Sequence, residues 1–119
     1  MMQRSCLRKH VRLLKAVDFD RVFDKSVRSS DRFFTVLARP NELNHPRLGL
    51  AISKRRARHA VTRNRLKRII RENFRLTQQN ALADYVVMAG HQGAHATNKE
   101  LFRSLEKHWK IIKTKCDDF

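Results

Sequence analysis

Glycine, proline and cysteine are all scarce, at three, two and two of 119 residues. Three glycines exclude a glycine-rich phosphate loop, whose chemistry needs several closely spaced residues of unrestricted backbone, so a nucleotide-hydrolysing motor is ruled out. Cys6 and Cys116 sit near opposite ends with no C-x-x-C partner. They make neither a zinc cage nor a disulfide framework, and as ordinary reduced thiols they are assigned no role. No apolar run approaches the roughly 20 residues needed to span a bilayer, and no apolar stretch follows the basic segment from Met1 to Arg12. A cytoplasmic protein without a membrane partner is expected. Acids are also few: 11 Asp and Glu stand against 27 Lys and Arg, a formal charge of +16. That surplus exceeds what solubility requires and points to a polyanionic partner. What is present, 41% hydrophobic residues including nine aromatics, supports a packed fold rather than a disordered basic tail. The length fits one domain, residues 1–119.

Residues 1–14 mix Arg4, Arg8, Lys9 and Arg12 with little periodicity, so their repulsion predicts a mobile basic arm. Phe19, Val22 and Phe23 then fall at helical spacing, with Asp18 as the expected N-cap. The stretch from Ser26 to Asp31 reads as a polar break. A strand is expected over Arg32 to Arg39, rich in β-formers and ended by Pro40. The segment from Pro40 to Pro46 holds both prolines, Asn41 and Asn44, and reads as a hairpin turn. In the strand that follows, Leu48, Leu50 and Ile52 alternate with Gly49, Ala51 and Ser53. The small face is either a close helix-packing surface or a floor over which a chain can lie.

Lys54 to Arg75 carries ten basic residues and one acid, Glu72, in 22 positions. After a loop from Lys54 to His59, helical spacing puts Leu66, Ile69, Ile70 and Phe74 on one face. Asn64, Arg65, Lys67, Arg68, Arg71 and Arg75 gather opposite or beside it. A solvated helix face ordinarily balances such cations with acids three or four residues away, and here those acids are missing. A nucleic-acid face follows, with an affinity that falls steeply with salt as counterions are released. Tyr85 to Ala89 is a continuous apolar run of strand length, expected in the sheet interior. The last helix opens with capping-box spacing from Thr97 to Glu100 and repeats Phe102, Leu105, Trp109 and Ile112 on one stripe. Fraying is expected from Lys113, with residues 114–119 as a mobile tail.

Arg63-Asn64-Arg65 adds two planar guanidinium forks flanking an amide, a trio able to hold a folded backbone in register. The run from Ala60 to Phe74 around it resembles the Arg-Asn-Arg signature of the bacterial ribonuclease P protein subunit. The resemblance extends to Asp18–Phe23, to Arg47–Arg55 and to Asp84–Ala89, and covers nearly the whole chain from Leu13 to Ile112 in family order. It implies an α+β fold in αβββαβα order: a four-stranded sheet flanked by three helices, with a left-handed βαβ crossover (ribosomal protein S5 domain 2-like). It further implies a subunit of the ribonucleoprotein that removes the 5′ leader of precursor tRNA. Catalysis and the Mg²⁺ ions would belong to the catalytic RNA subunit, and the protein alone would be inactive. The expected partners are that RNA and the precursor tRNA leader, with no obligate protein partner. Carried over by position, Arg63, Asn64, Arg65, Lys67, Arg68 and Arg71 would face RNA, with phosphate contacts added by Lys54, Arg55, Arg56 and Arg58. Phe19 and Phe23 would line a leader cleft floored by Thr35, Leu37, Ala51 and Ser53. From spacing alone the two Phe either dock a helix onto the core or stack on bases.

Other signals are weaker. His91 and His95 stand four apart, but Gly90 and Gly93 make the segment a loop rather than a metal-binding helix. His10, His45, His59 and His108 are dispersed with no paired carboxylate nearby in sequence, so no general acid–base pair is read from them, though His59, beside the basic helix, could approach RNA. Asp18, Asp20 and Asp24 diverge around their helix, so they read as capping and local pairing rather than as the centre of a protein-only metallonuclease. A structural ribosomal-type RNA-binding protein is the alternative that charge and size fit equally well; the RNA that copurifies separates the two.

Overall fold

Two alternating faces of one sheet organise the chain. The structure, a computed structural model, describes residues 11–77 and 80–119; Arg4, Arg8 and Lys9 of the expected arm, with Cys6 and His10, lie outside the described residues. The element order is α1 (Ala16–Asp24), β1 (Val27–Ser30), β2 (Phe34–Pro40), β3 (Arg47–Ala51), α2 (Ala60–Leu76), β4 (Ala83–Ala89), a 3₁₀ turn (Gly93–His95) and α3 (Asn98–Asp117). The sheet order is β1-β2-β4-β3. β1 and β4 both pair antiparallel with β2, and β3 pairs parallel with β4. The unit β3-α2-β4 is therefore a βαβ crossover between neighbouring strands. Among the described residues this is the α+β arrangement expected, and no helix there is long and apolar enough to cross a membrane.

Several local expectations differ from the structure. Pro40 to Pro46 is not a hairpin turn: β4 lies between β2 and β3, so the segment crosses from one strand to a non-neighbour. The hairpin is β1–β2, and the supposed polar break holds an edge strand whose Ser29 and Ser30 hid it from a hydrophobicity pattern. Asp18 lies in the first turn of α1, whose N-cap is Lys15. The arm ends earlier than residue 14, since Leu13 is only 3% exposed and its N–H donates to the Leu48 carbonyl at 2.8 Å. At the other end α3 stays helical to Asp117, with Lys115 Nζ donating to the Arg28 carbonyl and Lys25 Nζ lying 5.2 Å from the Phe119 ring centroid.

The major core lies between the sheet and α2 and α3. Phe34, Val36, Ala38, Leu48, Ile52, Tyr85 and Val87 supply the sheet side; Leu66, Ile69, Ile70, Phe74, Leu105 and Trp109 supply the helices. Phe74, Tyr85 and Trp109 meet edge-to-face at centroid separations of 5.3–5.7 Å, and Trp109 Nε1 donates to Asn73 Oδ1 at 2.6 Å, so the buried indole N–H is satisfied. The capping box at Thr97 and Glu100 forms as expected. On the other face a smaller cluster joins Leu13 and Val22 to Leu37 and Val86, with Phe19, Ala51 and Met88 packed against it. Gly49 is required here, because a Cβ would lie 2.7 Å from the Phe19 ring and 2.9 Å from Leu13.

Half-buried Asp31 and buried His108 tie the layers. Asp31 accepts from the Phe33 and Phe34 amides at 2.8 and 2.9 Å and from Ser104 Oγ at 2.7 Å, and Lys107 Nζ lies 3.1 Å away. Burial opposes its charge, but these donors overcome that and hold its pKa well below the usual carboxylate range. His108, 0% exposed, has Nδ1 2.6 Å from Ser29 Oγ and Nε2 3.2 Å from Asp31 Oδ2. Burial lowers its pKa, and the Asp31 charge offsets this only in part. A depressed pKa means that the unfolded chain binds the proton more readily, so stability falls as pH drops below about 6.5. Asp31 removes more below about pH 4. The melting temperature is expected to decline from pH 7 to 5, and His108→Gln to flatten that limb; a flat wild-type profile over this interval would refute it.

Candidate nucleic-acid interface

The basic helix is built around its own loop. Ala57, fully buried, anchors the 54–59 segment, and its amide and that of Arg56 donate to the Ser53 carbonyl at 3.0 and 3.2 Å. Arg63 Nη1 donates to the carbonyls of Ala57 (2.9 Å) and Arg58 (3.0 Å), clamping the loop to the first turn of α2. Lys54, Arg55, Arg56 and Arg58 are thereby held outward and exposed. Arg65 Nη2 donates to the Ala96 carbonyl at 2.9 Å and to Asn98 Oδ1 at 2.7 Å, fixing the approach to α3. The two arginines of the signature thus share their guanidinium donors with the protein's own backbone. Asn64 and Arg68 are exposed, while Lys67 and Arg71 are half-buried and line a cavity of about 180 Å³ with Arg12, Leu13, Phe19 and Leu48.

Among the described residues no carboxylate lies within 4.0 Å of any cation of α2 or of residues 54–58; every ion pair present involves Arg21, Arg47, Lys107 or His108. The first turn of α2 also holds no acid that would complement the positive end of the helix dipole. Neighbouring cations repel by a few tenths of a kcal/mol per pair, and the one acid of the helix, Glu72, forms no ion pair with any of them among the described residues. On the opposite face Leu66, Ile69, Ile70 and Phe74 are buried, and that burial offsets the repulsion.

On the far face of the sheet, strand register sorts the expected cleft residues. Thr35, Met88 and Ala51 lie side by side across β2, β4 and β3, with Ser30 beside Thr35 and its Oγ 2.9 Å from Thr35 Oγ1. The next row is Leu37, Val86 and Gly49, and α1 covers it. Leu37 is consequently 8% exposed beneath Val22, and Phe19 is half-buried over Gly49. Phe23, 48% exposed, keeps a free ring. Ser53 is exposed one residue pair beyond Ala51, its Oγ accepting from the Arg56 amide at 3.2 Å. The open floor is therefore Ser30, Thr35, Met88 and Ala51. Sequence reasoning missed Met88 because the unbroken apolar run of β4 hides its alternation, and Ser30 because its strand was read as a break.

A third row clamps α1 in place. Asp84, 0% exposed, accepts from Arg47 Nε and Nη2 at 2.8 Å each, from Asn41 Nδ2 at 2.9 Å and from Arg21 Nη1 at 3.2 Å. Arg47 also lies 3.7 Å from Asp18 of α1, and Arg39 Nη1 donates to the Arg21 carbonyl at 2.9 Å. Burial alone would raise the Asp84 pKa; the bonds from Arg47 and Asn41 and the charges of Arg47 and Arg21 bring it below the ordinary value. Its role is to set the height of α1 above the floor. Among the described residues no group of three His, Cys, Asp or Glu side chains is placed to hold a metal ion, and the buried carboxylates are already satisfied by cationic donors.

A mixed sheet backed by a helix whose outward cations have no carboxylate within 4.0 Å among the described residues makes this a small basic α+β protein. A family model described as Ribonuclease P matches residues 7–113. The ribonuclease P protein component of Methylococcus capsulatus is 53% identical over 106 residues, covering 88% of this chain and 83% of the relative. The chain belongs to the ribonuclease P protein family. The corresponding component of Photobacterium profundum is 43% identical, covering 91% of this chain and 92% of its own. In three dimensions the RNase P protein of Staphylococcus aureus matches with a TM-score of 0.81 at 36% identity, covering 87% of this chain and 95% of that one. That of Thermotoga maritima matches at 0.77 and 27%, over 85% and 96%.

Proposed function

We propose that this chain is the protein subunit of a ribonuclease P holoenzyme, binding the catalytic RNA through α2 and residues 54–58 and the 5′ leader of precursor tRNA along the groove beside α1. The observation that carries the reading is the row of α2 cations with no carboxylate within reach. Such a surface lowers the repulsion between two polynucleotides. Asn64, Arg68 and the loop cations Lys54, Arg55, Arg56 and Arg58 supply the outward contacts; Arg63 and Arg65 position them while retaining their charge. In this reading the Mg²⁺ used in cleavage is held by RNA, and the protein contributes no catalytic residue.

The groove is polar and small at Ser30, Thr35 and Ala51, with Met88 as a soft apolar patch and Phe23 at its rim. A strand can lie flat there, and a base stacked on Phe23 would contribute roughly 1–3 kcal/mol without sequence preference. Phe23→Ala is accordingly expected to lower the preference for leader-bearing over mature tRNA about 5- to 100-fold while sparing RNA-subunit binding. Equal loss for both tRNAs would remove the leader from this groove. For the function as a whole, cleavage of precursor tRNA at low Mg²⁺ by the cognate RNA should require this protein, and the protein alone should cut nothing. RNA-free protein that cleaves, or RNA indifferent to its addition, would overturn the reading.

A further inference from the structure

We propose that the β1–β2 turn and the first half of α3 form a second RNA-contact surface, which receives a stretch of the catalytic RNA's backbone carrying an unpaired base. The proposal rests on the ribonuclease P reading above. Lys99, Arg103 and Lys107 stand four residues apart on α3 and are all exposed; Lys107 is paired with Asp31 at 3.1 Å, whereas Lys99 and Arg103 have no carboxylate within 4.0 Å among the described residues. Arg32, exposed on the facing turn, completes the group, its guanidinium 4.9 Å from the centroid of the half-buried Phe33 ring. A cavity of about 280 Å³ separates the turn from the helix.

Of the cations in this group, the acids nearby pair only Lys107. Asp31 is taken by the Phe33 and Phe34 amides, Ser104 and Lys107. Glu100 closes the capping box, its Oε1 accepting from Thr97 N at 2.9 Å, and although it feels the charge of Arg32 it is not within ion-pair distance. Two guanidinium forks, Arg32 and Arg103, share the cavity with Glu100 but have no carboxylate within 4.0 Å among the described residues, and they stand beside an aromatic ring. That combination suits a phosphodiester with a base stacked next to it.

The platform is rigid before any ligand arrives. The amides of Gly90 and Gln92 donate to the carbonyls of Phe33 and Arg32, each at 2.8 Å. A Cβ at Gly90 would lie 2.5 Å from the Arg32 oxygen, and one at Gly93 2.6 Å from the Phe33 oxygen, so two of the three glycines serve this close approach. The ordering cost on binding is then that of the exposed side chains rather than of the backbone of the turn. The same connection then offers the Ala96 carbonyl to Arg65 of α2, so both cationic surfaces are fastened to one loop. The proposed leader groove is on the opposite face of the sheet, which assigns this surface to the RNA subunit rather than to the substrate.

The test is the double variant Arg32→Gln with Arg103→Gln, titrated with the cognate RNA subunit alone over a salt series, beside Arg68→Ala and Phe33→Leu. The double variant should bind about 10- to 100-fold more weakly, with a log–log salt slope shallower by about 1 to 2 and an unchanged melting temperature. Phe33→Leu should weaken binding without altering the slope. If the double variant matches wild type while Arg68→Ala is impaired, this surface is refuted and the family reading stands. If Arg68→Ala also binds normally, the underlying reading fails first. A defect seen only in the preference for leader-bearing precursor would place substrate here and contradict the assignment.

Discussion

Asp84→Ala should destabilise the protein by about 3 kcal/mol and largely erase its preference for leader-bearing precursor tRNA. Breaking a buried ion pair by removing one partner costs about 3–5 kcal/mol, because the remaining charge is left without compensation. The lower end applies, since the Arg21 and Arg47 side chains keep 38% and 22% exposure and can turn toward water. Four donors lose their acceptor at once, and they come from α1, from the segment after β2 and from the first residue of β3. With that knot undone, α1 is held over the sheet mainly by Val22 and Phe19, and Phe23 loses its fixed position at the groove rim. Affinity for the RNA subunit through α2 should change far less, because α2 packs on the other face. Urea unfolding and paired titrations with leader-bearing and mature tRNA measure both effects; full stability with intact leader preference would contradict the structural role given to Asp84. Asp84→Asn should fall between, keeping the shape but losing the charge.

Neutralising α2 should have the opposite profile, with a large loss of binding and no loss of fold. In the triple variant Lys67→Ala, Arg68→Ala and Arg71→Ala, each change substitutes a strong helix former and removes like-charge repulsion, so the melting temperature should hold or rise. Affinity for the RNA subunit should fall roughly 2000-fold, on the order of 1.5 kcal/mol for each of three charge-assisted contacts. The slope of log affinity against log salt should become shallower by roughly 2 to 3. Weaker binding with an unchanged slope would mean that these side chains act by shape rather than by charge. An unfolded variant would show that the cations support the fold, although among the described residues none of them has a carboxylate within 4.0 Å.

Periodicity made some of this architecture legible in the chain. The α2 face of Leu66, Ile69, Ile70 and Phe74, the interior position of Tyr85 to Ala89 and the capping box at Thr97 all follow from spacing that burial then realises. Strand order did not follow, because Pro40 at the end of β2 and Asn41, Asn44 and Pro46 after it mark a turn equally well whether the strands pair or are separated by β4. The edge strand β1 was hidden because two of its four residues are serines, one turned to His108 and the other to the groove. At the candidate interface the residue types were evident but their division of labour was not. Nothing in the spacing of Arg63 and Arg65 reveals that both hold neighbouring carbonyls, since their partners include residues more than thirty positions away in the Arg65 case. The same holds for Asp84 and His108, whose partners come from distant elements. Phe19 and Phe23 were equivalent by spacing, and only the approach of Gly49 separates the one that packs from the one that stays open.

The most direct measurement is the Mg²⁺ concentration at which cognate RNA reaches half-maximal cleavage of precursor tRNA, taken with wild-type protein and with the α2 triple variant at protein concentrations that saturate each. Wild type should lower that concentration strongly, and the variant should leave it close to the value for RNA alone. A variant as effective as wild type would show that the cationic side of α2 is not what brings the two RNAs together.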